Sequence, residues 1–492
     1  MRRGVKWTLA QGAEEYLPKE LLKDPEGYVR EHGKVISEGR RQLAAICDGH
    51  GLKLFVKVYR LKPVERLKFF FRNSRAEREW EGAKRLQEAG VPVPRPFAWG
   101  RESSIPKKTF FVAEALQGGC PLKEKNLGKI MPLLAKTVRR MHDTGIFHKD
   151  FHPKNILIKD DIPYIIHLHR HRLRKTGTSI SERLWDIACL LYPLKSPKLI
   201  KNFMSNYGTV NNIDLLSKIE NWIDRAQKRH LHHLKKDCLK SSNNFRKTKI
   251  GHMIIFSQKT INTEEVLEII SKHKDIVDCS KKGLVKDTEK SAVTIFYSSG
   301  RRICVKEFRY LTCFRGLKEF FRFPKPRKAW LNANLLVAYG IKGIKPLALV
   351  EHWRGIFLKN AFLIYDSPEG FVEFHHYVGI ICQANVQQKR RFLDEFVKFL
   401  FFLRDVKIWH KDFKTHHIMV CKTKKGWQFC LIDSEDVVFT KWKTKYILRS
   451  LRQMETSLQR TNVRKLDKIR FIKRFTSLLP LDEGQIILNR VL

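Results

Sequence analysis

The sequence HKDFHPKN, at residues 148–155, returns later in the chain as HKDFKTHH, at residues 410–417. Each copy follows a segment with helical apolar periodicity and precedes a short apolar run. Self-similarity of this kind indicates a duplicated structural unit. The 492-residue chain is long enough for each half to bury its own core. We therefore predict two tandem domains, residues 1–240 and 241–492, joined within a basic, polar stretch.

Each copy places an aspartate two residues after a histidine and a polar residue five positions beyond that aspartate. This spacing is typical of a phosphotransferase catalytic loop, in which the aspartate lies near the acceptor hydroxyl and the later residue ligates a metal. Asp150 and Asp412, together with His410, are therefore predicted catalytic residues. Asn155 and His417 occupy the predicted metal-ligating position, where His417 replaces the expected asparagine.

A strand with a central lysine precedes the loop in each half. Residues 54–59 and 303–308 alternate apolar and polar positions, which favours half-buried strands centred on Lys57 and Lys306. A lysine on such a strand can bind the phosphates of a nucleotide donor. The remainder of each half is mostly helical, so we predict an α+β fold: two bilobal, protein-kinase-like domains, each with a β-rich small lobe and an α-rich large lobe.

Further cofactor-binding residues are predicted around these lysines. Glu79 is the expected ion-pair partner of the first strand lysine, with Glu77 as a rival, whereas Ala329 aligns with Glu79 in the second half. A later strand leads into a predicted hinge between the lobes, and it contributes Glu114 in the first half and Tyr365 in the second.

The two halves differ most at the expected metal carboxylate. Asp433 ends an apolar run in the second half, whereas His167 occupies the matching position in the first. Mg²⁺ prefers carboxylate and phosphate oxygens, while imidazole suits softer metals. We therefore predict that the second half binds Mg²⁺ and ATP and is catalytic, and that the first half is degenerate.

Composition restricts the partners and the compartment. Lysine and arginine number 96 against 50 acidic residues, a formal charge of +46, so polyanions are favoured partners; a lysine-rich compositional bias is the alternative interpretation. The ten cysteines show no metal-binding or disulfide spacing, which favours a reducing compartment. No signal peptide is evident, and the most apolar helical segment carries charges, so we predict no membrane span.

Several motifs resemble those of the lipopolysaccharide core kinases, which phosphorylate Kdo or heptose sugars of the inner core in Gram-negative bacteria. That family often has histidine at the last position of its catalytic loop, as His417 does here. Its metal motif is similar to residues 166–170, IHLHR, with the aspartate lost. The helix at residues 77–90 and the segment 183–191, with Asp186 in the place of a loop-bracing aspartate, also look like the family.

The resemblance implies an ATP- and Mg²⁺-dependent kinase that acts on a sugar hydroxyl of lipid A-core, an anionic glycolipid. It also implies a cytoplasmic protein located peripherally on the cytoplasmic face of the inner membrane. A tandem pseudokinase that serves as a membrane-associated scaffold is the second hypothesis. A nucleic-acid-binding protein is the third, and it is disfavoured because charge alone supports it and no recognised nucleic-acid module is present.

Overall fold

Two compact units, Met1–His230 and Leu231–Leu492, make up the chain. The computed structural model describes residues 4–68, 73–102, 106–122, 127–194, 196–210, 215–280, 282–310, 312–341, 343–424, 426–459, 461 and 463–491. The division lies earlier than the predicted boundary after residue 240, because the end of a long helix belongs to the second unit. Leu231 of that helix packs into the second unit's large core, and Cys238 packs into another of its clusters.

The first unit has an antiparallel sheet followed by helices. Its strands are β1 (Val5–Leu9), β2 (Gly33–Gly39), β3 (Gln42–Asp48), β4 (Lys53–Arg60), β5 (Pro96–Glu102), β6 (Lys108–Glu114), β7 (Cys120–Pro121), β8 (Ile146–Phe147), β9 (Ile156–Lys159), β10 (Ile162–Ile165) and β11 (Arg172–Leu173). Its helices are α1 (Lys19–Lys23), α2 (Pro25–His32), α3 (Pro63–Lys68), α4 (Arg75–Glu88), α5 (Leu127–Asp143), α6 (Ile180–Leu191), α7 (Pro197–Tyr207) and α8 (Leu216–Asp237), which continues into the second unit.

The first six strands form one sheet in the order β1-β5-β6-β4-β3-β2. Strand β4 lies inside this sheet because Leu54, Val56 and Val58 are fully buried in the small-lobe core. Helix α4 begins where Ser74 and Glu77 form a capping box, which satisfies backbone donors at the helix start. A separate core under α5 and α6 forms the large lobe.

The second unit repeats this order of elements. Its strands are β12 (Phe245–Ile250), β13 (Met253–Gln258), β14 (Leu284–Thr288), β15 (Ser291–Ser298), β16 (Arg301–Arg309), β17 (Lys345–Arg354), β18 (Phe357–Asp366), β19 (Val372–Glu373), β20 (Ile408–His410), β21 (Ile418–Thr423), β22 (Gly426–Leu431) and β23 (Val437–Phe439). Its further helices are α9 (Thr263–Asp278), α10 (Cys313–Phe321), α11 (Lys325–Ala338), α12 (Phe374–Gln383), α13 (Val386–Asp405), α14 (Thr444–Leu458), α15 (Lys465–Thr476) and α16 (Leu481–Val491).

The sheet of the second unit has the order β12-β13-β17-β18-β16-β15-β14. Without its edge strand β12, this is the order of the first sheet, with β16 in the place of β4 and β18 in the place of β6. The predicted α+β class is confirmed, since each unit has an antiparallel sheet followed by helices. In the described part of the chain, none of the helices is both long and apolar enough to cross a bilayer.

Candidate active site

The loop at residues 410–417 connects β20 to β21 in the second unit. His410 is buried, and its Nε2 lies 3.1 Å from the carbonyl oxygen of Ile432 and 3.2 Å from that of Asp433. Burial lowers the pKa of His410, which favours a neutral ring. The ring contacts these two backbone carbonyls, and the catalytic role of His410 stays a prediction.

Asp412 lies at the surface of this loop, with 31% of its side chain exposed. Its carboxylate accepts a hydrogen bond from Lys414, and Nζ lies 3.0 Å from Oδ1. Gln453 of α14 hydrogen-bonds to the backbone of this loop. The Gln453 amide accepts from the backbone N–H of Phe413 at 2.9 Å and donates to the carbonyl of Lys411 at 3.1 Å. The carboxylate is therefore presented to solvent on a fixed backbone.

His417 connects the loop to the predicted metal carboxylate. Its Nδ1 lies 2.7 Å from the backbone carbonyl of Asp412, so Nδ1 carries the proton in this hydrogen bond. Its Nε2 lies 3.4 Å from Oδ2 of Asp433. In this tautomer the lone pair of Nε2 is free to bind a cation together with the carboxylate. The structure thus brings Asp412, His417 and Asp433 together as the sequence predicted.

Lys306 of β16 is the fourth side chain of this site, beside Asp412, His417 and Asp433. Its Nζ lies 2.7 Å from Oδ1 of Asp433 and 2.7 Å from Oε1 of Glu435. Burial acts to lower the pKa of Lys306, but Glu435 and Asp433 raise it to about 12, so the lysine is charged. Burial likewise opposes ionisation of Asp433, whereas the neighbouring Lys306 lowers its pKa. Lys306 and Asp433 therefore hold each other in their charged forms.

In the second unit Glu435 is the carboxylate partner of the strand lysine. Ala329, which aligns with Glu79 of the first unit, has no carboxylate for this role. Ala329 is fully buried, and its backbone carbonyl accepts a hydrogen bond from Ser434 Oγ at 2.9 Å. The carboxylate partner of the strand lysine therefore comes from the metal motif itself instead of from helix α11. Sequence comparison of the two helices showed the loss of the glutamate but not its replacement.

A cavity of about 450 Å³ opens beside these residues in the second unit. Polar groups, including Lys306, Tyr365 and Asp433, line it together with apolar side chains such as Leu336. The Tyr365 hydroxyl lies 3.4 Å from Ser434 Oγ. Most small-molecule sites have this combination of apolar walls with a few converging polar groups.

The first unit has a cavity of the same volume, about 450 Å³, which both Glu114 and His167 line. Here the strand lysine has the predicted partner: Lys57 Nζ lies 2.5 Å from Oε1 of Glu79, and both side chains are almost fully buried. The rival Glu77 instead caps the start of α4. Burial opposes ionisation of Glu79, but Lys57 and neighbouring histidines lower its pKa to about 2.

His167 replaces the carboxylate without changing the backbone. His167 and Asp433 have φ values of 67° and 50°, a left-handed conformation in which Asp, Asn and His are the favoured non-glycine residues. Nδ1 of His167 accepts a hydrogen bond from Lys57 Nζ at 2.7 Å. Burial and the Lys57 charge lower the pKa of His167 to about 3, so its ring is neutral. A neutral imidazole cannot offset the charge of Mg²⁺ as a carboxylate does.

The loop of the first unit retains its framework. Asn155 Nδ2 donates to the carbonyl of Asp150 at 2.7 Å, as His417 does in the second unit. Asp186 accepts the backbone N–H groups of His148 and Lys149 at 2.7 and 2.9 Å, in the bracing place that the sequence indicated.

The surroundings of the two loop aspartates differ. In the first unit the Asp150 carboxylate pairs with Arg170, whose Nη1 lies 3.1 Å away. In the second unit Lys414 is the partner, from within the loop. Sequence reasoning did not identify four residues at these sites: Lys414, Glu435, Gln453 and Arg170. Lys414 and Glu435 lie two residues beyond Asp412 and Asp433, so their spacing was the available signal.

The buried pair in the first unit leads to a stability prediction. Glu79→Ala leaves the Lys57 charge buried without its carboxylate, so we expect a loss of about 3–5 kcal/mol. Urea denaturation of the full chain, combined with pulsed hydrogen exchange, measures the free energy of unfolding of the first unit separately from that of the second. The control Glu77→Ala removes only a cap and should cost about 0.3–1.5 kcal/mol. Equal small losses for both variants would contradict the pairing.

The same pair makes the first unit sensitive to acid. The pKa of Glu79 is lower in the folded state than its ordinary value of 4.5. The resulting stabilisation is therefore complete above pH 4.5 and is lost as the pH falls toward 2. In Glu79→Ala, the free energy of unfolding of the first unit should therefore change less between pH 4.5 and pH 2 than in the unchanged chain.

Comparison with known proteins agrees with the duplicated site. The model of the lipopolysaccharide kinase (Kdo/WaaP) family matches residues 27–186 and again residues 318–475. The chain is 29% identical over 191 residues to the lipopolysaccharide core heptose(I) kinase WaaP of Pseudomonas aeruginosa, covering 32% of this chain and 69% of that protein.

Two further comparisons cover less of the chain or have low identity. The mouse MAPK/MAK/MRK overlapping kinase is 28% identical over 126 residues, 21% of this chain, and the chain spans only 29% of that relative's length. A solved structure of WaaP in complex with acyl carrier protein is 22% identical with a TM-score of 0.35, covering 46% of this chain and 97% of that one.

Proposed function

This chain belongs to the lipopolysaccharide kinase (Kdo/WaaP) family, and we propose that its second unit transfers the γ-phosphoryl group of ATP to a Kdo or heptose hydroxyl of the lipopolysaccharide inner core. The observation that supports this most is the group formed by Lys306, Asp412, His417 and Asp433. In the first unit the same framework holds a neutral His167 where the carboxylate should be. We therefore propose that the first unit does not catalyse phosphoryl transfer.

The proposed chemistry depends on positioning and charge. Asp412 is partly exposed and held by its backbone, so its carboxylate can orient an acceptor hydroxyl and accept its proton. Lys306 provides a positive charge for the donor phosphates, and Glu435 keeps that ammonium in place. Lys414, beside Asp412, adds a second positive charge on the side where the phosphoryl group would pass to the acceptor.

Asp433 and His417 are the residues that would hold Mg²⁺. The carboxylate oxygen is the kind of ligand that this ion prefers, and Nε2 of His417 faces the same oxygen at 3.4 Å. Mg²⁺ is suited to such a sparse site because it is normally held by one or two protein groups with waters and substrate phosphates. When bound, it would neutralise charge on the donor phosphates. Asn155 alone cannot replace this set in the first unit.

Charge supports the choice of acceptor. The chain carries a formal charge of +46, and lipid A-core is an anionic glycolipid. Basic side chains near an anionic membrane surface contribute about 1 kcal/mol each to binding. We therefore propose that the protein works peripherally at the cytoplasmic face of the inner membrane, and that the first unit, with its intact framework, increases its contact with this surface.

Phosphate transfer in vitro tests the proposed activity. The purified full-length chain, given ATP, Mg²⁺ and lipid A-core lacking core phosphates, should add phosphate to a core sugar, which mass spectrometry of the product can locate. A generic protein substrate at the same concentration is the control acceptor. Phosphorylation of the protein substrate with an unmodified glycolipid would contradict the proposed acceptor class.

The pseudokinase hypothesis rested on elements missing from both halves. In the second unit these were the asparagine that His417 replaces and the glutamate that Ala329 replaces, and Glu435 provides a carboxylate partner at 2.7 Å from Lys306. We therefore prefer an active second unit beside a non-catalytic first unit.

A further inference from the structure

Four side chains of the second unit that the proposed phosphoryl transfer does not use lie together beside the catalytic loop. Glu373 ends β19, His375 and His376 belong to the first turn of α12, and His416 belongs to the loop itself. The His375 ring centroid lies 3.8 Å from that of His376 and 4.0 Å from that of His416. Three imidazoles therefore lie in contact around one carboxylate.

The ligand atoms of three of these side chains lie close together. One ligand atom each from Glu373, His375 and His376 can be chosen so that all lie within 4.8 Å of one another. Oε2 of Glu373 lies 3.3 Å from Nδ1 of His375 and 3.0 Å from Nδ1 of His416. Ligand atoms bound to a tetrahedral ion at about 2.0–2.1 Å are separated by about 3.3 Å. The two contacts of Glu373 are near this separation, and the remaining ligand atoms have to move closer to share one ion.

Hydrogen bonding alone explains only part of the cluster. It accounts for the contact between Glu373 and His416 at 3.0 Å. Nδ1 of His375 is removed from solvent and lies 3.3 Å from Oε2 of Glu373, but the two atoms are not in hydrogen-bond geometry.

We propose that Glu373, His375, His376 and His416 bind one divalent transition-metal ion of the Zn²⁺ class. Three imidazole nitrogens and one carboxylate oxygen are a four-coordinate ligand set that suits Zn²⁺ and is poorly suited to Mg²⁺. The site is thus chemically different from the carboxylate site of Asp433. It does not depend on the proposed kinase activity, because its ligands are not the groups assigned to phosphoryl transfer.

The position of His416 gives the site a consequence for the loop. His416 lies in the single turn Thr415–His417, directly before His417 and a few residues after Asp412. A metal bound to His416 and to the start of α12 would connect the catalytic loop to the helical lobe. Such a bond would limit movement of the loop independently of the Gln453 brace.

Metal binding to the full-length chain tests the proposal. After removal of metals with a chelator, the protein is dialysed against Zn²⁺ in excess Mg²⁺, and Co²⁺ is added separately as a spectroscopic probe. We expect a bound equivalent of Zn²⁺ and the intense visible absorption of four-coordinate Co²⁺. Since changes to residues that merely support ligands cost 10–100-fold in affinity, loss of a ligand in His375→Ala should cost at least about 100-fold.

The matched control is His352→Ala, which removes an exposed histidine of β17, away from the cluster. It should bind Zn²⁺ and Co²⁺ as the unchanged chain does. His376→Ala is a second test variant, and because its side chain is exposed the change should leave the fold intact. Thermal melts of the metal-free variants check folding. Equal stoichiometry and affinity in His376→Ala and His352→Ala would overturn the proposed site.

Discussion

Asp412→Asn is expected to lower the turnover number by about 10²–10⁴-fold, the usual contribution of a positioned acid–base group. The amide has nearly the same shape as the carboxylate but cannot accept the acceptor's proton. The backbone of the loop should be unchanged, because the contacts of Gln453 with Phe413 and Lys411 involve no atom of the Asp412 side chain. The measurement is the steady-state rate of ATP-dependent phosphate transfer to lipid A-core.

Asp150→Asn is the matched control, since it makes the same change in the same sequence context in the first unit. Its activity should remain close to that of the unchanged chain. If Asp412→Asn kept full activity while Asp150→Asn lost it, the first unit would be the catalytic centre and the assignment of the two units would be reversed.

Asp433→Ala is expected to weaken Mg²⁺-dependent ATP binding by at least about 100-fold, more than the 10–100-fold cost of changing a residue that merely supports a metal ligand. The variant loses the carboxylate that would hold the metal and one of the two acidic partners of Lys306. Glu435 still pairs with that lysine, so the small lobe should stay folded. Calorimetric titration of the full-length variant with ATP, with and without Mg²⁺, gives the comparison.

His167→Ala is the corresponding change in the first unit, and it should leave Mg²⁺-dependent ATP binding unchanged. The neutral His167 ring contributes a hydrogen bond with Lys57 but no charge for a metal. A loss of Mg²⁺-dependent binding in His167→Ala, with Asp433→Ala unaffected, would show that the nucleotide binds in the first unit.

The sequence was sufficient to predict the parts of the site that are local in the chain. The loops at 148–155 and 410–417 and the strands around Lys57 and Lys306 have short, regular patterns, and each lies where its pattern indicated. The absence of a carboxylate at His167 was also visible, because both motifs could be compared position by position.

Contacts between distant segments could not be predicted in the same way. Glu435 pairs with a lysine on β16 because the metal motif passes close to that strand, and the alanine in α11 only indicated that a partner was missing. Gln453 hydrogen-bonds to the loop backbone through an uncharged amide. The aspartate expected at this bracing place is absent from the second half, so the sequence did not indicate the residue. The domain boundary differed because Leu231 is one of few apolar residues in a polar segment, yet it packs into the second unit.

The most direct test of the account is mass spectrometry of lipid A-core from cells that lack this chain, complemented with the unchanged chain, Asp412→Asn or Asp150→Asn. The account predicts a phosphate on an inner-core sugar in cells with the unchanged chain or Asp150→Asn, and its absence in cells with Asp412→Asn or without the chain. An identical phosphate content of the core sugars in all four strains would contradict the proposed function.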